Sequence, residues 1–327
     1  MTAGPAVSVI LNCYNHQDYV SEAIESVLRQ THRDLELIII DNGSTDGTRK
    51  VIESFTDERI RPFLHDDNRT VSRRLNEGVA AARGEFVTIL YSDDWFLPRK
   101  LERQLGIFAT LPPDYGVIYG PAIGFNQMTG VRWQRPSLGV SGPMMPAMFD
   151  RFFDGSIDMS TPLTRRVCFE QYPFYDELFS DGEYVFFRIA ISWKFHFDPE
   201  PFVVLRDHGE NMSKATHKNH DMMMAMLDRM ETRPDFREEW RPNLRHLRAL
   251  AYRNHTWMAL RMDHDDDAWV WQQFRRSLVA EPTQLLRPKM LAAMALALLP
   301  GGARATLNRL VNDRRPRPES TKMKQSQ

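Results

Sequence analysis

Two adjacent carboxylates, Asp93 and Asp94, stand directly after the apolar run Phe86-Val87-Thr88-Ile89-Leu90, within Tyr91-Ser92-Asp93-Asp94-Trp95. The run reads as a buried strand. Paired acids where a buried strand ends are costly unless something positive meets them, usually a divalent cation. The same end of an α/β sheet is where such a sheet holds the diphosphate of a nucleotide. The five residues also fit a simpler role, with Asp94 as a cap and Pro98 opening a helix over Pro98–Phe108.

Other polar groups follow other apolar runs. Asn12-Cys13-Tyr14-Asn15 succeeds Val7–Leu11, so Asn12, Tyr14 and Asn15 either face the ligand crevice of a parallel sheet or form an ordinary strand-to-helix loop. Asp41-Asn42-Gly43-Ser44-Thr45-Asp46 succeeds Leu35–Ile40. Asp41 or Asn42 can hydrogen-bond a base edge or a ribose, Gly43 allows a tight turn, and Ser44 or Thr45 can cap the next helix. A capping turn alone explains Ser44 to Asp46 well and Asp41 poorly. Between Asn68 and Gly84, Arg73 or Arg74 offers a charge to phosphate or a plane to a base, unless both belong to a solvated helix face.

Over 6–122, apolar runs alternate strictly with amphipathic stretches, which predicts a parallel, doubly wound sheet. Strands are expected at Val7–Leu11, Leu35–Ile40, Ile60–Leu64, Glu85–Leu90 and Tyr115–Tyr119, with helices at Tyr19–Gln30, Thr48–Phe55, Val71–Ala82 and Pro98–Ala109. Residues 123–160 are rich in Gly, Pro and Met without a period, the character of a long connection carrying a substrate loop. A helix is expected at Gly182–Ser192, short strands at Phe195–Phe197 and Phe202–Leu205, and helices from about His217 onward.

The chain has 327 residues, enough for one large α/β domain plus an appendage, and a formal net charge of −1 gives no global field for nucleic acid. Cys13 and Cys168 are its only cysteines, so neither a disulfide framework nor a zinc site is expected, and a reducing, cytoplasmic compartment fits best. The opening Met1–Pro5 lacks the pattern of a secretory signal.

The stretches Val7–Asn15, Ala23–Thr31 and Glu36–Thr48, then Leu75-Asn76-Glu77-Gly78, Ala82–Phe86 and Ser92-Asp93-Asp94-Trp95, together resemble family-2 glycosyltransferases of the GT-A fold, over roughly residues 6–215. The resemblance implies a mostly parallel GT-A sheet flanked by helices and an inverting transfer of a sugar from a nucleotide sugar, taken here as a UDP-sugar. It implies that Asp41 contacts the base. It also implies that motif residues, Asn76, Ser92 and Asp93 among them, line the nucleotide site, and that Asp93 and Asp94 bind Mn²⁺ or Mg²⁺ at the donor diphosphate. Many members carry an acid where this chain has Tyr91.

Ser180-Asp181-Gly182-Glu183, seven residues before Arg188, resembles the family's acidic pair that holds the catalytic base, with Glu-Asp become Asp-Gly-Glu. An inverting transfer needs one carboxylate to take the acceptor hydroxyl proton. Asp181 or Glu183 could serve. Ser180 with Glu183 also makes a capping box, a structural reason for Glu183, so Asp181 is preferred. Leu205 to Ser213 is similar to the family's Arg-x-His segment and brings His208 to the metal or diphosphate.

The expected organisation is a catalytic domain at 1–215, a helical region at 216–312 and a disordered tail at 313–327. In the helical region, Met222–Met226 is read as gap-filling core. Arg287-Pro288-Lys289 and then Met290–Leu299 form an apolar stretch with basic flanks, too short to span a bilayer. It fits an interfacial membrane helix, a helix packed on its own domain, or a homodimer contact. The acceptor expected with this reading is a growing surface glycan, free or lipid-linked. Two other readings remain: a catalytically degenerate binding protein of the same fold, and a nucleotidyltransferase. Against the second, Asn12–Asn15 has no Gly-rich basic loop.

Overall fold

The structure, a computed structural model, describes residues 4–208, 216–261 and 266–313. They fall into two compact units: residues up to 148 with 154–208, and 149–153 with the described residues from 216 onward. The boundary expected after residue 215 adjoins 209–215, outside the described residues, as are the tail beyond 313 and the Gly209–Ser213 part of the Arg-x-His segment.

The first unit is built on a seven-stranded sheet. Its strands are β1 (Val7–Cys13), β2 (Leu35–Asp41), β3 (Ile60–Leu64), β4 (Phe86–Tyr91), β6 (Tyr115–Tyr119), β9 (Leu163–Arg165) and β10 (Lys194–Phe197), in the order β10-β6-β9-β4-β1-β2-β3. All pairings are parallel except those of β9, which runs antiparallel between β4 and β6. Every residue of β1 and β2 is buried, as their near-continuous apolar runs require. Burying each such Ile or Leu contributes about 1.5–3 kcal/mol. Helices α1 (Val20–Leu28), α2 (Thr48–Glu53), α3 (Val71–Ala81) and α4 (Lys100–Phe108) connect the strands. In α1, Val20, Ala23, Ile24 and Val27 recur at helical spacing and face the core beside Val9 and Leu11.

A second, four-stranded sheet, which the sequence reading did not anticipate, has the order β5-β11-β7-β8. These are β5 (Trp95–Phe96), β7 (Ala122–Asn126), β8 (Arg132–Gln134) and β11 (Val203–Asp207). The pairing of Val204 with Trp95 lays the end of β11 beside Asp93 and Asp94. Gly182–Tyr184 forms one 3-10 turn ahead of α7 (Val185–Ile189), within the helix expected at Gly182–Ser192.

The second unit is helical: α8 (Thr216–Glu231), α9 (Arg241–Arg261), α10 (Asp267–Ala280), α11 (Pro288–Ala297) and α12 (Gly301–Asp313). Met223, Met226 and Met230 are buried, as a gap-filling Met stripe should be. Phe274, Met290, Ala293 and Leu296 make a separate small core. Among the described residues no helix is long and apolar enough to cross a membrane.

Candidate functional site

The polar turns after β1 and β2 are tied to each other. The Asn15 N–H donates to Ser44 Oγ at 2.9 Å, Thr45 N–H to Asn15 Oδ1 at 2.8 Å, and His16 N–H to Thr48 Oγ1 at 2.8 Å. Asn15 holds a left-handed φ of 52°, which asparagine tolerates. Gly43 has φ 78°, and a Cβ there would lie 2.7 Å from the Asp67 carbonyl carbon, so the close approach of the two loops needs glycine.

Several expected nucleotide residues are used in these brackets. Asp41 is wholly buried and accepts from both the backbone and the hydroxyl of Ser44, so the turn accounts for it after all. Asn42 accepts from Arg69 N–H and Arg74 Nε and donates to Asn68 and the Arg69 carbonyl. Asn76 grips the backbone of Phe174 in both directions, at 2.8 and 2.9 Å. Arg73 is exposed, while Arg74 is buried in the Asn42 and Asp67 network rather than on a solvated face. Tyr14 is 41% exposed. Asn12 is buried, and its Oδ1 has no hydrogen-bond partner among the described residues.

The metal expectation changes in its membership. His208 Nε2 lies 3.2 Å from Asp93 Oδ2, and His16 Nδ1 lies 2.7 Å from Ser92 Oγ. One ligand atom each from His16, Asp93 and His208 lies within 4.8 Å of the others, an arrangement that could hold a metal ion. Asp94 does not join them. Its Oδ1 accepts the Arg206 N–H at 2.9 Å, because β11 runs alongside β5. Burial first, then the Asp93 charge, pushes Asp94 well above the ordinary carboxylate range. Nor does Asp94 cap a helix, since α4 starts at Lys100 with Arg99 as its cap. Two imidazoles and one carboxylate suit Mn²⁺ better than Mg²⁺, which prefers an all-oxygen shell. The sequence reading missed His16. Its signal was a metal-capable side chain one residue beyond the first polar turn.

Asp181 and Glu183, the two candidates for the base, stand in different surroundings. Asp181 is wholly buried and held in a two-pronged ion pair by Arg188, with Arg188 Nη1 3.1 Å from Asp181 Oδ1. It also accepts the Tyr175 N–H at 3.0 Å. Asp181 is therefore a structural anchor. Ser180 forms no capping box, since the turn opens at Gly182 with Asp181 at its cap position and no side-chain cap bond. Gly182, at φ 43°, turns the chain between Asp181 and Glu183, and the Glu183 charge acts on Tyr91. Glu183 makes no ion pair among the described residues. Burial, then the Asp158 and Asp181 charges, raises its carboxyl above the usual range against the pull of Arg135. Tyr91 lies within reach of the charges of Glu183, Asp93 and Asp94, and burial raises its hydroxyl.

Arg135 and Asp158 complete the site from the segment expected to carry a substrate loop. The Arg135 fork meets Asp158 at 3.0 and 3.3 Å, and the bridge between Ser137 and Ser156 holds the two stretches together. Arg135 also feels Asp94 and Glu183, so one cation balances three acids.

The Glycosyl transferase family 2 model matches residues 8–168. TuaG of Bacillus subtilis, a glycosyltransferase named for teichuronic acid biosynthesis, is 41% identical over 103 residues, which are 31% of this chain and 41% of TuaG. The chain spans 33 to 58% of the length of the first curated relatives it matches. Among solved structures, residues 1–349 of S. aureus TarS in complex with UDP superpose with a TM-score of 0.64 at 15% identity, covering 94% of this chain and 91% of that one. The mannosyltransferase PcManGT of Pyrobaculum calidifontis, in complex with GDP-Man and Mn²⁺, gives 0.58 at 18% identity, covering 95% and 86%. These structures share the mixed α/β GT-A architecture described above. The motifs after β1, β2 and β4, the match over 8–168 and this fold agree: the chain belongs to the family-2 glycosyltransferases.

Proposed function

We propose that the protein transfers a sugar, with inversion, from a nucleoside-diphosphate sugar to a hydroxyl of a glycan acceptor. Uridine diphosphate is the first donor nucleotide to test, since TarS was solved with UDP. The glycan acceptor follows the name of TuaG. The observation that carries the reading is that Tyr91 feels two kinds of acid: Asp93, grouped with His16 and His208, and Glu183, which makes no ion pair among the described residues.

Asp93, His208 and His16 would hold a divalent cation, which when bound neutralises charge on the leaving diphosphate. Glu183 takes the proton from the attacking acceptor hydroxyl at a carboxylate oxygen, and its raised basicity suits that task. Arg135 keeps Glu183 ionisable amid the charges of Asp158 and Asp181. Arg206 fixes the metal side: its Nε donates to the Asp93 carbonyl at 3.0 Å while its guanidinium stacks over Trp95 at 4.8 Å.

The test is nucleotide release from a panel of UDP-, GDP-, dTDP- and CDP-sugars with Mn²⁺ and a mixed glycan acceptor pool. Release from one nucleotide class, lost with chelator, supports the reading. Tight nucleotide binding with no release for any donor would favour a degenerate binding protein, which the replacement of the family's acid by Tyr91 also suits.

A further inference from the structure

Beyond Lys289 in its first turn, helix α11 is apolar on every side. Met290, Ala293, Leu296 and Ala297 are buried against α9 and α10, yet Leu291 and Leu298 on the outer side are 52% and 73% exposed. A helix without a polar face is ordinarily covered all round. The exposed apolar surface continues through Leu286, 79% exposed, and Val279, 77% exposed, into an open hollow between α10 and α11 lined by Trp271, Leu278 and Met294.

The charge around this ridge is net positive. Residues 267–313, from the start of α10 to the end of α12, contain six Lys and Arg against three acids, Asp267, Glu281 and Asp313, in a chain whose overall net charge is −1, and Asp267 is paired with Arg304. Glu281 is itself paired with His246 at 2.6 Å. Arg275, Arg276, Arg287 and Lys289 are exposed on the same elements as the apolar ridge. By sequence, residues 314–327 add five more Lys and Arg and one acid, Glu319.

We infer that the outer face of α10 and α11 is a docking surface for an anionic lipid bilayer. The leucines enter the acyl boundary and the arginines and lysine meet the headgroups. At 1.5 Å per residue, the ten residues of α11 reach about half the hydrocarbon thickness, so the helix lies in the interface and does not span it. A second copy fits less well. A two-fold contact would set this basic patch against itself, and like charges across an interface oppose association. The inference is independent of which sugar is transferred, and its readout needs no turnover.

The test is co-sedimentation of the full chain with phosphatidylcholine vesicles, with and without one third phosphatidylglycerol, at low and high salt. Binding is expected on the anionic vesicles, at least about tenfold weaker on neutral ones, and weakened by salt. Arg287→Glu with Lys289→Glu should lower binding by at least about fivefold per charge removed. Leu286→Glu with Leu298→Glu should abolish it while leaving the thermal melt unchanged, since both side chains are largely exposed. Equal binding to both vesicle types, no binding to either, indifference to these variants, or a dimer that buries Leu286 and Leu298 would each overturn the inference.

Discussion

Asp181 and Glu183 are two residues apart in sequence and opposite in circumstance. Asp181 is spent on Arg188, whose side chain is 1% exposed, so Asp181→Asn strands a buried guanidinium. That change should cost about 3–5 kcal/mol in a denaturant titration. Glu183→Gln should leave stability and UDP affinity near wild type and lower kcat by about 10²- to 10⁴-fold. The reverse pattern would return the base to Asp181. Glu183 also sets a pH signature. Burial, then Asp158, raises its carboxyl, and the working form is deprotonated, so kcat should rise with pH through a value above the ordinary glutamate range. Arg135 opposes that rise, so Arg135→Met should move the limb to still higher pH. A limb unmoved by Arg135→Met would remove Arg135 from the account. His16 extends the same lesson: a lone histidine in a polar loop gives no sign of a metal role until the fold sets it near Asp93 and His208.

At the scale of elements, the legible features were those with long periods. The buried runs of β1, β2 and β4 and the stripe of α1 announced themselves because burial on both faces demands continuous apolar residues. The second sheet did not, because β5 and β8 are two and three residues long and carry no measurable alternation. That sheet decides the site, since β11 against β5 diverts Asp94 to Arg206 and delivers His208 to Asp93. Asn42 and Asn76 show a related ambiguity: an asparagine that brackets two loops has the same sequence signature as one that faces a ligand. Lys100 in α4 went unnoticed. It is 1% exposed, with Nζ bonded to Thr88 and Gln104 and lying 4.6 Å from the Phe96 ring. The ring favours the charged form, but burial outweighs it and lowers the amine well below the ordinary lysine value. The unfolded chain then binds more protons than the folded one, so stability rises with pH toward the ordinary value. As pH rises toward the ordinary lysine value, the wild type should gain on Lys100→Met by up to about 1.4 kcal/mol per pH unit. Parallel stability curves would contradict a lowered Lys100.

At the scale of the molecule, the first unit holds every residue of the candidate site, and the second carries a basic apolar ridge of its own. The central claim is that the end of β4 is a metal-assisted nucleotide site in which Asp93 is the shared acid. Calorimetric titration of UDP into the full chain, with Mn²⁺ and then with EDTA, tests it most directly when repeated on Asp93→Asn. The account predicts saturable binding with Mn²⁺, at least about tenfold weaker with EDTA, and the same loss in Asp93→Asn with Mn²⁺ present. UDP affinity that is equal with and without metal, and equal in wild type and Asp93→Asn, would contradict it.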